Sequence, residues 1–431
     1  MPRTQCALAC AAIVLLAACS SGGPSIAVKR EQLFSLGYGP AEDQLDLFQT
    51  TGNQDPPKIS IAMREGIFYL SNGAGAKLVR YTSWGDPLSM IYNSDLDPAP
   101  ILLKPDAAGQ QGGAMANGQS ESGIGRVAVS YPFRSIGAIA VDSGQTLYAE
   151  DRLPPEKRAQ DKDSGAILDR VVLRFDKNGR FIDYLGQEGV DGTPFPYILG
   201  IYASASDECV VVSALRTGWL VHWFDGSGSL VNSIKILRDD LPMPEKGLVS
   251  AFDAIVPDTS GRSLILKVDY YKSPAPPSAV ADSSAGTASS QGAAGTAAAA
   301  ELAESWAYRI DIRDGKYLDK WRLPLVTAMT KLAEDGTARS VRAPALLGAA
   351  GRYLFFMYAD DLGRSYVSTF DRDTQGSVKY SIDIAPDELY YDSYFLAGNG
   401  VLCALLATKD EAKVVWWRFD KLISQGSGIV K

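Results

Sequence analysis

His222 is the only histidine in the chain, so any chemistry that needs an imidazole has to be done there. It sits in Leu220-Val221-His222-Trp223-Phe224-Asp225, a segment that reads as a strand. A catalytic base at that point needs a nucleophile and an orienting group beside it; the simpler reading is a strand histidine hydrogen-bonded within its own sheet. A single histidine also excludes most hydrolase triads and zinc centres. Asp371-Arg372-Asp373-Thr374-Gln375-Gly376 begins like a calcium loop. However, Gln375 stands where a third acidic or amide ligand belongs, and Ile382 stands where a bidentate glutamate would close the site. We read it as a turn. There is no nucleophile elbow, Walker-type loop, dinucleotide fingerprint or Cys-x-x-Cys pair. Lys+Arg total 42 against Asp+Glu 50, a net charge of −8, which leaves no basic surplus for phosphates and argues against a nucleic-acid partner. The expectation is therefore no catalytic residue, no metal and no cofactor. Asp239-Asp240 and Asp360-Asp361 read as solvated loop charges, and Trp416-Trp417, Phe355-Phe356 and Tyr390-Tyr391 as packing.

The other reactive side chain is Cys19. Arg3 supplies a positive start, and the apolar run Ala7–Ala18 covers 12 residues, well short of the roughly 20 that span a bilayer as a helix. It ends in Leu16-Ala17-Ala18-Cys19, followed by Ser20-Ser21-Gly22-Gly23-Pro24. This resembles a bacterial lipobox, in which small residues fit the peptidase and the cysteine thiol takes a diacylglycerol thioether. Residues 1–18 are then a lipoprotein signal peptide, Cys19 is the lipid attachment site, and 19–30 are a flexible tether. The folded part is expected outside the cytoplasm, in a bacterial cell envelope, held to a membrane through the acyl anchor on Cys19.

The elements that would position any site come from a repeat. Its clearest copy runs from Gly137-Ala138-Ile139-Ala140-Val141-Asp142 through Leu147-Tyr148-Ala149-Glu150-Asp151 to Arg170-Val171-Val172-Leu173-Arg174-Phe175-Asp176-Lys177-Asn178-Gly179 and Phe181–Gly186. It resembles an NHL-type β-propeller blade. Looser copies cover Ser60–Tyr92, Leu199–Ile234, Phe252–Trp321, Ala345–Ile382 and Tyr394–Asp420. Asp176, Asp225, Asp311, Asp371 and Asp420 mark the turn after an aromatic or apolar residue, with Thr82-Ser83 in the first copy. Val171/Leu173/Phe175 and Val414/Trp416 alternate with the period of a strand. The reading is all-β: a six-bladed propeller occupying 31–431 as a single domain. The last copy stops after three strands, and Leu33–Gly39 resembles a fourth strand, so the N-terminal strand is expected to complete the last blade and close the ring. Cys209 and Cys403 then lie in blades on opposite sides of the ring, too far apart for a disulfide, which needs Cα atoms within roughly 7 Å.

Insertions break the repeat at 93–130, 153–166, 273–303 and 326–342; the last is mixed in composition and reads as loop with a turn or two of helix. Two fall between second and third strands and two after fourth strands. In a meander these loop classes leave from the same end, so all four are expected on one face, and that face is expected to take a protein partner. Leu33–Phe48 (LFSLGYGPAEDQLDLF) and Ser60–Gly73 (SIAMREGIFYLSNG) resemble a family of spirochaetal lipoproteins of unknown function with NHL-like propellers. That resemblance implies fold and location but no activity. The function expected is a non-enzymatic binding or scaffold protein. The alternatives are a calcium-dependent hydrolase or lactonase-like propeller, for which carboxylates should converge at the axis and only Asp253 is available from the first strands, and a carbohydrate- or small-ligand-binding propeller.

Overall fold

The computed structural model describes residues 25–47, 58–73, 76–105, 126–186, 192–272, 301–331 and 337–426. Six antiparallel sheets follow one another along the chain. From the axis outward, blade 1 is Ile59–Arg64, Ile67–Asn72, Lys77–Tyr81 and Pro87–Tyr92, and blade 2 is Ile139–Val141, Leu147–Arg152, Arg170–Phe175 and Phe181–Tyr184. Blade 3 comprises Ile198–Ala203, Cys209–Leu215, Gly218–Phe224 and Leu230–Leu237. Blade 4 has Leu248–Pro257, Ser263–Lys272, Glu301–Asp311 and Tyr317–Leu323, and blade 5 has Ala345–Ala350, Tyr353–Ala359, Ser365–Asp371 and Ser377–Ile382. Blade 6 takes Tyr391–Leu396, Val401–Ala407 and Ala412–Arg418 from the end of the chain and its fourth strand, Glu31–Tyr38, from the beginning. The protein is a six-bladed β-propeller closed by its N-terminal strand.

One turn recurs at the end opposite the insertions. A side-chain oxygen accepts backbone N–H groups two and four residues on, as Asp176 does from Asn178 and Arg180 and Asp225 does from Ser227 and Ser229. Thr82 does the same through its hydroxyl toward Trp84 and Asp86, which explains why Thr82 substitutes for aspartate there. The third residue past the oxygen donor has a positive φ, 82° at Gly179 and 88° at Gly228. Glycine enters that region without steric cost.

The apolar side chains of the strands divide between two neighbours. In the second strand of blade 3, Cys209 and Val211 pack toward blade 2, whereas Val210 and Val212 pack toward blade 4. Repeated around the ring, this alternation yields six buried clusters, one at each interface between adjacent blades. At the closing interface Phe34 and Leu36 of the N-terminal strand are buried with Phe68, Tyr81 and Val414. The Phe34 ring lies 5.9 Å from Phe68 and 5.4 Å from Tyr81.

Three expectations are corrected. The ring starts earlier than residue 31, because Ile26–Val28 pairs in parallel with Tyr380–Ile382 on the outside of blade 5; that part of the 19–30 tether is a strand. The described residues of 326–342 form no helical turn. Val326–Lys331 and Thr337–Arg342 make an antiparallel hairpin, in keeping with the β-branched Val326, Thr327 and Val341. The first insertion does not stay at one end either: Val127–Ser130 lies parallel to the fourth strand of blade 1, and Lys104–Pro105 adds outside it. Pairing of this kind covers an otherwise open sheet edge. Most of the 273–303 insertion, residues 273–300, lies outside the described residues. Where Asp420 is expected to mark a turn the chain forms a helix, Phe419–Gly426, and Asp420 pairs with Arg418 at 2.7 Å.

If the N-terminal strand closes the ring, Phe34→Ala should lower the unfolding free energy by about 3–5 kcal/mol, read as a shift of the urea midpoint. Gln32→Ala, exposed on the same strand, should change it by less than about 0.5 kcal/mol. Cys209 and Cys403 are both free and buried, and burial pushes the Cys403 thiol up to about 12 and the Cys209 thiol higher still. Neither should react with a thiol reagent in the native protein, and both should be labelled after unfolding without prior reduction.

Candidate binding face

Strand direction decides which loops share an end. In every blade the chain leaves the second strand and the fourth strand at the same end of the ring, so 153–166, the hairpin strands Val326–Lys331 and Thr337–Arg342, and residues 192–197, 238–247 and 383–390 gather there. Around the axis at this end lies a group of charges that no motif announced. Glu150 is fully buried and takes both oxygens to the Lys58 ammonium at 3.0 Å. Arg170 stands 3.5 Å away, and the Ala138 N–H donates to Glu150 Oε2 at 2.9 Å. Lys58 also donates to the Ile198 carbonyl at 2.8 Å and lies 4.2 Å from the centre of the Tyr197 ring. One lysine thus ties blades 1, 2 and 3 together, and the Tyr391 hydroxyl bridges to the backbone of Ile59 from blade 6.

The core alternation explains the position. Ser71, Glu150 and Lys267 occupy the same step of the second strand in blades 1, 2 and 4, facing the following blade. Ser71 donates to the Gly137 carbonyl of blade 2. Lys267, with no exposed side-chain surface, holds Asp269 at 2.8 Å and Asp253 at 3.3 Å, and Asp253 accepts the Leu346 N–H of blade 5 at 2.9 Å. Burial raises the Asp253 carboxyl while Lys267 opposes the rise. Each of these carboxylates is engaged by a cation or an N–H donor, so they act as staples within and between blades. Among the described residues, no three His, Cys, Asp or Glu side chains are grouped to hold a metal ion.

The residues singled out from sequence fall in separate places. His222 is buried, its ring perpendicular to Phe195 at 5.1 Å and stacked on Phe224 at 6.1 Å. Its Nδ1 has no hydrogen-bond partner, so ring packing, and not the expected hydrogen bond within the blade, is what its position provides. Burial drops its pKa to about 4. Asp371 accepts the N–H groups of Asp373 and Thr374 and pairs with Arg352 at 3.0 Å, the turn read from sequence. Cys19 lies outside the described residues.

Apolar side chains are also exposed on this end. Tyr197, Leu199, Met243, Val249, Leu362 and Tyr390 are exposed in its loops and strand starts, and Trp84, Phe181, Leu230 and Tyr317 are exposed in the turns and fourth-strand starts of the opposite end. Sequence reasoning missed this set because its members are spread along the chain, and it read Tyr390 as packing although the side chain is exposed. It also missed a cleft between blades 3 and 4, whose Arg216 and Arg238 are brought together only by the fold.

Comparisons with known proteins add the architecture alone. No protein-family model matches the chain, and no curated protein sequence matches it. Among solved structures, the polysaccharide lyase Uly1 aligns with 10% identity and a TM-score of 0.39, covering 90% of this chain and 97% of that one. Kuenenia stuttgartiensis hydrazine synthase aligns with 12% identity and a TM-score of 0.36, over 84% and 95%. TolB from Acinetobacter baumannii aligns with 11% identity and a TM-score of 0.29, over 65% and 54%. These neighbours include enzymes and a protein of another kind, and at such scores none lends its activity to this chain.

The buried histidine has a measurable consequence. Its folded pKa lies below the unfolded value of about 6.5, so its cost is absent above pH 6.5 and grows as pH falls toward 4. Burial shifts Asp97 and Asp151 up to about 6, which works in the opposite sense, so the test compares variants. Between pH 7.5 and 4.5, His222→Phe should lose about 2–3 kcal/mol less stability than the native protein, measured by urea unfolding at both pH values.

Proposed function

We propose that this protein is a lipid-anchored, non-enzymatic binding protein of the bacterial envelope, attached through Cys19 and capturing a protein partner on the end of the ring that carries its longest loops. The observation that carries the reading is the gathering of the longest connections on that end, where Tyr197, Met243, Leu362 and Tyr390 stand exposed among them. Apolar surface rimmed by polar residues marks interaction sites in soluble proteins, and loops held by a rigid scaffold are where recognition concentrates. The buried charges at the axis support a non-catalytic role, since Glu150 and Asp269 have both oxygens engaged by Lys58, Arg170, Lys267 and N–H or O–H donors, and Asp253 is paired with Lys267 and the Leu346 N–H. Kinship with the spirochaetal lipoproteins belongs to the same proposal and rests on the segments 33–48 and 60–73. The lipobox pattern at Leu16–Cys19 supports the anchor.

Two measurements test it. Cys19→Ser should abolish labelling by a palmitate analogue and move the protein from the membrane to the soluble fraction; unchanged membrane attachment would remove the anchor from the proposal. A photo-crosslinking residue placed at Leu199 or Leu362 should yield a discrete adduct in cells, and one at Trp84 should not. Equal adducts from both ends, or none from either, would overturn the assignment of the binding face.

A further inference from the structure

Blades 3 and 4 meet differently from the other pairs. Their innermost strands, Ile198–Ala203 and Leu248–Pro257, hardly touch, whereas every other pair of adjacent inner strands is in close contact. Tyr202 sits between them, packed on the clusters that blade 4 shares with blades 3 and 5. It lies over Gly200, where a Cβ would come 2.7 Å from its hydroxyl. Toward the loop-bearing end the separation opens into a cleft of about 300 Å³, at the lower limit of ordinary small-ligand pockets (about 300–1,000 Å³). One wall is the stacked pair Trp219 and Phe252, with ring centres 4.7 Å apart and planes within 26°. Ser250 is buried beside them, and Arg216 and Arg238 stand at the mouth.

The two arginines are the unusual part. Arg152, Arg174, Arg262, Arg322, Arg364 and Arg372 each hold a carboxylate. Arg216 and Arg238 have no ion pair or side-chain hydrogen bond among the described residues, although the chain carries a net charge of −8. Asp253 is held by Lys267 and the Leu346 N–H and Asp269 by Lys267 and Ser305, while Asp239 and Asp240, which follow Arg238 in the chain, form no ion pair with either arginine. Two guanidinium groups beside an aromatic wall and a buried hydroxyl form a complete recognition set for one kind of molecule. The guanidinium forks suit a carboxylate, sulfate or phosphate, and the indole and phenyl faces suit a flat, weakly polar ring.

We propose that this cleft binds a small anionic ring compound, its negative group held by Arg216 and Arg238 and its face laid along Trp219 and Phe252. An acidic sugar and an aromatic acid share this chemistry. The site goes beyond the protein-binding role proposed above and stands or falls separately, because it is read by titration of a small molecule and not by crosslinking to a partner.

Trigalacturonate, with neutral maltotriose as its control, and indole-3-acetate should each be titrated into the purified native protein by calorimetry. Binding of trigalacturonate or indole-3-acetate identifies the ligand as an acidic sugar or an aromatic acid. The Arg216→Ala/Arg238→Ala double variant should bind the active compound at least about tenfold more weakly, about 1.4 kcal/mol. Trp219→Ala should also weaken it, and maltotriose should not bind. Both arginines are exposed, so the double variant should keep the native urea midpoint, which separates lost binding from lost folding. The proposal is overturned if neither acid binds at about 10 mM, a dissociation constant weaker than any specific site would give. It is equally overturned if the double variant binds as well as the native protein, or if maltotriose binds as tightly as trigalacturonate.

Discussion

Each blade of this protein is apolar on both faces, and that single fact governs the rest. A four-stranded sheet with one wet face can stop anywhere, but a sheet whose side chains alternate between two dry faces must be covered on both. The six interface clusters meet that demand only when the ring is complete. The chain therefore spends its N-terminal strand on blade 6, where Phe34 and Leu36 fill the interface to blade 1. A closed ring also gathers the inner strand edges around the axis, where they are short and protected.

Closure makes polar contacts possible that would otherwise be too costly. Glu150 and Lys267 are buried charges, and either one alone would be expensive. Glu150 meets Arg170 and the Ala138 N–H within blade 2 and Lys58 from blade 1, whereas Lys267 is paired within blade 4 by Asp253 and Asp269, and Asp253 takes the Leu346 N–H of blade 5. The same arrangement occupies the Glu150 oxygens and the Lys267 protons, so these charges hold strands in place. At the opposite end, Glu208 to Arg262 and Asp258 to Arg372 repeat the principle between the turns of adjacent blades.

Rigidity at the centre leaves recognition to the loops. The connections leaving second and fourth strands share one end of the ring, and that end carries exposed apolar side chains and the opening between blades 3 and 4. That opening exists because Tyr202 spaces the two inner strands while the tall inner strand of blade 4, Leu248–Pro257, extends past its neighbour. A protein-sized contact and a small-molecule cleft can occupy one face without competing for the same residues.

The blades, their number and their closure were legible in the sequence, because alternation and the oxygen-then-glycine turns act over a few residues; Asp176, Asp225 and Thr82 hold their turns with N–H groups at most four positions away. Pairings with no such local signal were not legible: Ile26–Val28 against blade 5, Val127–Ser130 along blade 1, and the hairpin at 326–342. The surroundings of His222 were misread for the same reason, since Phe195 reaches it from outside its strand. The candidate sites lay further still from local reasoning. Lys58 meets Glu150 across 92 residues and Asp253 meets Leu346 across 93. Strand and turn were thus determined by the sequence alone, through contacts between near neighbours, whereas the partners of each charge and the place where two arginines and two aromatic rings meet were decided only when the ring brought distant segments to the same point.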